Sequence, residues 1–248
     1  MNGSHVEPKH KGGNVRKTRG VSVCCWLAFV LVACSGEEAA VRPSAPAPGV
    51  VEVTIETMDF QMPDSIPAGW TTFRTINKSA MTHLGVVERM PEGFGLREQQ
   101  DQIAPVFQEG MNLIVAGDMD GALAKFGELP EWFGEIVFLG GPGLMSAGEI
   151  TETSVYLEPG TYVLECYVKT DGIFHSYNPS PAMDGMIAQF TVTSEPNGAP
   201  EPVPTLEVGI GSESGLRVVG EPTAGPHTIA VNFEDQVHHK HFLGHDVH

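Results

Sequence analysis

The chain has 248 residues, 31 of them acidic and 14 basic, so its formal net charge at pH 7 is −17. A surface this acidic excludes a protein that binds the phosphate backbone of nucleic acids, and it argues against a protein that lies flat on anionic lipid. It is compatible with a basic protein partner, and equally with a charge that serves only solubility.

The first 33 residues have the organisation of an export signal. A leader with five basic residues precedes the apolar run VSVCCWLAFVLVA at 21–33, which is too short to cross a bilayer as a stable helix. The run ends in the tetrapeptide LVAC at 31–34, which resembles a bacterial lipobox and implies lipidation of Cys34 and cleavage before it. The alternative is an ordinary export signal that contains a cysteine. We therefore expect an exported protein, anchored to the periplasmic face or the cell surface through lipid only.

Removal of the leader leaves nine basic and 30 acidic residues, a net charge of −21. Residues 34–49 are small and proline-rich and predict a flexible tether. The first strand is predicted at 51–56, where VEVTIE alternates apolar and polar residues, and Phe60 and Met62 are expected to continue it. The proline- and glycine-containing segment 63–69 is predicted to be a turn.

The next strands are predicted at 71–77 and at 81–90, and the second of these contains His83 near its start. Residues 91–143 break the β pattern, because apolar residues recur there at helical spacing. Asp118 is a plausible N-cap for the second of two helices, whereas Pro105 and Gly110 would kink or divide the first. We interpret this segment as a helical insertion packed on a β-scaffold.

Strands are predicted again at 151–157, 161–167 and 186–192. A proline-rich linker at 194–204 then ends a domain of residues 50–193.

Residues 205–248 resume the β pattern. The segment AGPHTI at 224–229 echoes AGWTTF at 68–73, so we interpret 205–248 as the opening, partial second repeat of the first domain. Without further strands this copy cannot close a sandwich. Either the sequence is a fragment, or these strands complete a sheet elsewhere.

The segment 160–192 concentrates residues that bind soft metals. It places Cys166, His175 and a methionine in one strand–loop–strand unit, in the order that a mononuclear copper site of the Cys/His/Met kind requires. Once the leader is removed and Cys34 is lipidated, Cys166 is the only free thiol in an exported protein, where thiols usually pair. A metal thiolate explains the unpaired cysteine, and so does a buried, inert one.

This segment resembles the cupredoxin family, in which a G-x-Y-x-x-x-C strand is followed by a loop histidine and a Gly-Met pair before the last strand. The resemblance covers about residues 50–193. It implies an all-β, cupredoxin-like Greek-key β-sandwich, here with a helical insertion and followed by a partial second β repeat. The matching residues are Gly160, Tyr162, Cys166, His175, Gly185 and Met186.

The resemblance also implies a ligand set. One copper ion would be held by Cys166, His175, Met186 and an upstream histidine, for which His83 is the candidate, while Met183 is an alternative axial ligand. The implied role is electron transfer to a redox partner protein, or copper handling, and not enzymatic catalysis.

Other interpretations stay open. The domain could be a copper-free cupredoxin-fold module for binding or interaction in the cell envelope, or both repeats could belong to a longer multicopper enzyme. The C-terminal His239, His241 and His245 are weak secondary metal candidates, because an exposed histidine-rich end binds metals non-selectively. A catalytic Cys166–His83 pair is disfavoured, since a thiol facing the core is poorly placed to attack a substrate.

Overall fold

The structure is a computed structural model that describes residues 47–177 and 185–235. Within these ranges the chain forms a β-scaffold with one helical segment. The helices are α1 (Leu96–Glu98), α2 (Ala104–Val115) and α3 (Met119–Phe126), with a π-helical turn at Gln99–Ile103 and a 3₁₀ turn at Glu131–Glu135. The strands are β1 (Val50–Glu56), β2 (Asp59–Gln61), β3 (Ser65–Asn77), β4 (Val86–Arg89), β5 (Val137–Phe138), β6 (Ile150–Leu157), β7 (Gly160–Glu165), β8 (Lys169–Thr170), β9 (Ile173–Phe174), β10 (Ile187–Pro196), β11 (Leu206–Gly211), β12 (Gly215–Val219) and β13 (Ile229–Phe233).

Eight of the first ten strands build two layers that share the long strand β3, while β8 and β9 form a separate two-stranded hairpin. The second half of β3 pairs with β1 and β6, and β1 also pairs with β2. The first half of β3 pairs with β10, which leads through β7 and β4 to β5. Gly69 lies where β3 passes from one layer to the other, with φ of +120°, a conformation that glycine adopts without strain.

The core fills the space between these two layers. Val53, Ile55 and Phe73 from the first layer meet Leu164 and Phe190 from the second, and all five are buried. Because side chains alternate along a strand, one apolar set of each of these strands lies on the inner face. The predicted common face of Tyr162, Leu164 and Cys166 is present, since all three belong to this cluster. The prediction of an all-β sandwich is therefore confirmed.

The helical insertion covers the outer face of the second layer. Val163 and Ile187 point away from the sandwich core and pack with Ile103, Trp132 and Ile136 of the insertion. The predicted N-cap is present, because the Asp118 carboxylate accepts a hydrogen bond of 2.9 Å from the Gly121 amide.

The first helix is not divided at Gly110, which lies inside the continuous helix α2. A Cβ there would lie 2.6 Å from the Phe126 ring, so the glycine permits close packing of α2 against α3.

Three local predictions are wrong. Phe60 does not continue the first strand, because a turn at Thr57 and Met58 reverses the chain into the antiparallel strand β2, and Met62 lies beyond it. The predicted turn at 63–69 is mostly strand, since β3 begins at Ser65 and gains hydrogen bonds from β10. The third predicted strand is shorter than 81–90 and excludes His83, which forms an isolated bridge with Met145.

Strands β11 to β13 form a separate three-stranded sheet within the region predicted to be a partial repeat. The predicted leader, the lipidation site Cys34 and all but the last residues of the tether lie outside the described residues, so these predictions stay predictions. No helix in the described part of the chain is long and apolar enough to span a membrane.

Candidate metal centre

Three of the predicted ligands meet at one end of the sandwich. Cys166 directly follows β7, His83 lies in the bridge between the end of β3 and β4, and His175 directly follows the short hairpin of β8 and β9. All three are buried, with 0% exposure for His83 and Cys166 and 4% for His175. They are the one such cluster of potential metal ligands among the described residues.

The ligand atoms form a compact triangle. Nδ1 of His83 lies 3.7 Å from Sγ of Cys166 and 3.1 Å from Nδ1 of His175, and the third side, from Sγ to Nδ1 of His175, is 3.6 Å. A point equidistant from the three atoms lies about 2.0 Å from each, and a first-row metal such as zinc bonds to imidazole nitrogen at about 2.0–2.1 Å and to thiolate sulfur at about 2.3 Å. The triangle therefore fits a single metal ion without a large movement of the ligands.

The protonation of the cluster favours ligation by the histidines. Burial, together with the charge of His175, lowers the pKa of His83 to about 4, and burial also lowers the pKa of His175. Both rings are therefore neutral at pH 7, the state in which imidazole binds a metal.

The pKa of the Cys166 thiol shifts in the opposite direction to those of the two histidines. Burial raises the pKa of Cys166 to about 11, although the backbone amides of Leu84 and Val168 act in the other direction by hydrogen bonding to the sulfur. Cys166 is thus a thiol at neutral pH unless a cation stabilises the thiolate, and a coordinating metal does so. A buried thiol of this kind is also a poor nucleophile, which agrees with the expectation that Cys166 and His83 are not a catalytic pair.

Backbone hydrogen bonds connect the segments that carry these ligands. The Cys166 amide donates to the Met186 carbonyl at 3.1 Å, and the Met186 amide donates to the His175 carbonyl at 2.8 Å. Met186 is fully buried and belongs to the same apolar cluster as Cys166. The structure therefore places the predicted axial ligand beside Cys166 and His175, and its role as a ligand stays a prediction.

Asn77 organises the loop that precedes His83. This buried side chain donates to the carbonyls of Met81 at 2.8 Å, Met145 at 3.2 Å and Ser146 at 3.1 Å, and it accepts two hydrogen bonds from Ser79. The backbone of Met145 in turn makes two hydrogen bonds with that of His83, at 2.9 and 3.1 Å. No local pattern in the sequence marks this residue, because an asparagine at the end of a strand is usually part of a turn.

The outer nitrogen of each histidine has a different environment. Nε2 of His175 lies 2.8 Å from the hydroxyl of Thr170. Nε2 of His83 is buried and makes no hydrogen bond within the described residues, although the nearby backbone of Thr57 opposes the fall in its pKa. Thr57 has φ of +58°, an uncommon conformation for a β-branched residue.

The helical insertion holds the hairpin that leads to His175. The Gln108 side chain donates to the Gly172 carbonyl and accepts from the Phe174 amide, both at 2.8 Å. Asn112, one turn further along α2, accepts from Lys169 at 2.7 Å. These contacts fix the hairpin against the helix and so fix the position of Thr170 and His175. The sequence carried no signal for this role, since the apolar pattern of the insertion indicated only packing.

We expect Thr170→Val to weaken metal binding by 10- to 100-fold, about the range found when a partner of a ligand histidine is removed. The metal-free protein should lose only about 1 kcal/mol of unfolding free energy, because one hydrogen bond is removed and the shape is kept. Copper affinity measured by competition with a chelator, and urea unfolding, check the two effects. Thr191→Val, an exposed change on β10, is the matched control. An unchanged affinity in Thr170→Val would show that the hydroxyl does not support His175.

Several predicted residues lie outside the described part of the chain. They are the alternative axial ligand Met183 and the C-terminal His239, His241 and His245.

Comparison with known proteins gives few matches. No family model and no curated protein matches the chain. Among solved structures, it is similar to reduced auracyanin from Roseiflexus castenholzii, with 22% identity, a TM-score of 0.34, and coverage of 60% of this chain and 99% of that one. It is also similar to auracyanin A, a "blue" copper protein from Chloroflexus aurantiacus, with 19% identity, a TM-score of 0.33, and coverage of 59% and 100%.

The described chain combines the all-β sandwich expected from the sequence with a buried His83–Cys166–His175 triangle of the dimensions of one metal site.

Proposed function

We propose that this protein binds one copper ion through His83, Cys166 and His175 and transfers single electrons to and from a partner protein. The observation that carries the proposal is the triangle of two imidazole nitrogens and one sulfur with sides of 3.1, 3.6 and 3.7 Å. A trigonal His₂Cys set with a weak axial ligand is the arrangement of blue-copper electron-transfer sites, in which copper alternates between Cu(II) and Cu(I). Met186 is the proposed axial ligand.

The protein would keep this geometry nearly constant. Cys166 and His175 are joined through the backbone of Met186, and His83 is held by Met145 and the Asn77 network. Because these contacts belong to a packed sandwich, the ligands move little when the charge at the site changes. A small rearrangement on electron transfer is what such a carrier requires.

The protein would also tune the site through its surroundings. The amides of Leu84 and Val168 donate to Sγ of Cys166 and stabilise negative charge on the sulfur. Burial of all three ligands excludes bulk water, which strengthens these interactions. The near-complete burial also argues against hydrolytic metal catalysis, which needs an open coordination position for water or substrate.

The proposed location of the protein rests on its sequence alone. We infer export and lipid anchoring through Cys34, with the tether carrying the domain away from the membrane. The net charge of −21 after removal of the leader favours a basic redox partner, because opposite charges increase the rate of encounter.

Addition of Cu(II) to the purified chain lacking its leader, with Cys34→Ser so that Cys166 is its single thiol, tests the proposal. One equivalent should produce an intense visible thiolate-to-copper band, which a mild reductant removes and an oxidant restores. The matched control is the same titration with Cys166 blocked by a thiol reagent after unfolding and refolding. A colourless protein whose thiol stays freely titratable would contradict the proposal and favour the copper-free binding module.

A further inference from the structure

The three-stranded sheet of β11, β12 and β13 repeats the start of the first domain. In both places the first strand pairs antiparallel with the second and parallel with the third. The segment 224–229, whose sequence echoes 68–73, leads into β13 just as 68–73 leads into the paired half of β3.

The strand register is the same as well. The first sheet pairs Val51 with Phe73, Val53 with Thr75 and Ile55 with Asn77, while the second pairs Leu206 with Ile229, Val208 with Val231 and Ile210 with Phe233. The aligned segments 68–73 and 224–229 make Phe73 equivalent to Ile229. With this alignment, each residue pair between β11 and β13 corresponds to a pair between β1 and β3. The agreement of sequence and register makes chance similarity a poor explanation for the repeat.

One face of the second sheet is entirely apolar. Because side chains alternate along a strand, the register assigns each residue to a face. The opposite face carries polar residues such as Glu207, Arg217 and Asn232. The apolar face consists of Leu206, Val208, Ile210, Leu216, Val218, Ile229, Val231 and Phe233.

Within the described residues, this apolar face has no second layer like the one that covers the equivalent face of the first domain. In the first domain the equivalent residues Val53, Ile55 and Phe73 are fully buried beneath the second layer. In the second sheet five of the eight residues are 38–69% exposed, so the described part of the chain does not cover them. The exposed apolar area is roughly 500 Å², near the upper end of the patches found on monomeric proteins.

We propose that this face packs against the same face of a second copy of the chain, which makes a two-fold symmetric, six-stranded sandwich. The face is apolar throughout, so it is complementary to itself and leaves no charge buried when two copies meet. Two such faces bury roughly 1,000 Å² in total, close to the lower limit for a specific interface. The dimer is therefore expected to be weak and reversible.

Charge sets the conditions of assembly. Each copy carries a net charge of −17, or −21 without the leader, so two copies repel each other. Salt screens this repulsion and strengthens apolar contacts, so dimer formation is expected to increase with ionic strength. An interface held by ion pairs would respond in the opposite direction.

Analytical ultracentrifugation of the chain lacking only its leader tests the proposal. The wild type is expected to show a concentration-dependent monomer–dimer equilibrium that shifts toward dimer in salt. Val231→Lys places a charge on the apolar face and should raise the dissociation constant at least about 10-fold. Asn232→Lys, the neighbouring residue on the opposite face, adds the same charge and should leave the dimer intact.

Two further variants keep the result interpretable. Val231→Thr retains the β-branched shape suited to a strand, so it should weaken the dimer even if Val231→Lys disrupts the sheet. A chain ending at residue 235 should dimerise like the full chain. The proposal is overturned if the wild type is monomeric throughout the micromolar range, or if Asn232→Lys weakens association as much as Val231→Lys. It is also overturned if only the shortened chain associates, because residues 236–248 would then cover the face.

Discussion

Replacement of Cys166 by serine is expected to abolish the visible thiolate-to-copper band and to weaken copper binding by more than about 100-fold, beyond the effect of removing a supporting residue. The band arises from the sulfur–copper bond, and a serine hydroxyl does not ionise at neutral pH to replace it. The Nδ1 atoms of His83 and His175, which lie 3.1 Å apart, would still bind Cu(II) weakly, without intense colour.

The variant must be distinguished from one that has simply lost its fold. Cys166 is fully buried, so a serine hydroxyl there is expected to cost about 1–3 kcal/mol of unfolding free energy. Leu164→Val, two residues earlier on the same face of β7, perturbs the packing without removing a ligand and should keep the band. Urea unfolding and far-ultraviolet circular dichroism of both variants complete the measurement. A persistent band in folded Cys166→Ser would remove Cys166 from the site.

The second large effect concerns a carboxyl pair beneath the helical insertion. Glu88 of β4 and Glu165 of β7 lie on the outer face of the second layer, both buried, and Gln99 of the insertion donates to both. Burial, followed by the charge of Glu165, holds the pKa of Glu88 well above its usual value. Glu88 therefore keeps its proton in the folded state and donates it in a hydrogen bond to Glu165.

The consequence for stability has a definite sign. In the unfolded chain Glu88 ionises near its usual pKa, whereas in the folded protein it stays protonated to higher pH. Between these two pKa values the folded state binds more protons, so the unfolding free energy falls as pH rises. Each tenfold displacement of the ionisation equilibrium corresponds to about 1.4 kcal/mol.

We expect Glu88→Gln to raise the unfolding free energy of the metal-free protein by at least about 1.4 kcal/mol at pH 8, because glutamine keeps a donor but does not ionise. The gain should disappear near pH 4, where the wild-type residue is protonated in both states. Urea unfolding at several pH values measures this dependence. Glu52→Gln, an exposed change on β1, is the matched control. Equal pH profiles for wild type and Glu88→Gln would show that the pair does not govern stability.

Much of the scaffold could be predicted from local patterns. The alternation at 51–56, 151–157 and 186–192 predicted β1, β6 and most of β10, because a strand with one buried face requires that period. The predicted strand boundaries were wrong where hydrogen bonding to a neighbouring strand outweighed the local preference of the residues. The proline- and glycine-containing segment 63–69 becomes strand because β10 supplies its hydrogen bonds.

The burial of Glu88 shows another limit. A glutamate within a strand is ordinarily expected on the solvent face, and Glu88 does point away from the sandwich core. It is buried because the helical insertion covers that face, a contact between segments that no local pattern contains.

The types of the candidate metal ligands could be predicted from the sequence, but their arrangement in space could not. Residue types and their order pointed to Cys166 and His175, since a soft metal needs a thiolate and imidazoles, and the resemblance to the cupredoxin family implied His83. The positions of residues along the chain do not give the distances between their side chains. His83 and Cys166 are 83 residues apart in sequence, yet Nδ1 and Sγ lie 3.7 Å apart in the structure. The roles of Asn77, Thr170 and Gln108 also depend on contacts between distant segments.

The sequence by itself determined the alternating strands, the helical insertion and the acidic character of the chain, because each is a property of composition or local period. The candidate ligands came from the order of residue types and from the resemblance to the cupredoxin family. Only the tertiary structure decided that three ligand atoms enclose a point about 2.0 Å from each, a metal-bonding distance. The tertiary structure also showed that the apolar side chains of β11, β12 and β13 lie on one face and that most of them are exposed. Both features depend on which distant strands pair and which layers pack, and that is set by the summed contacts of the whole fold.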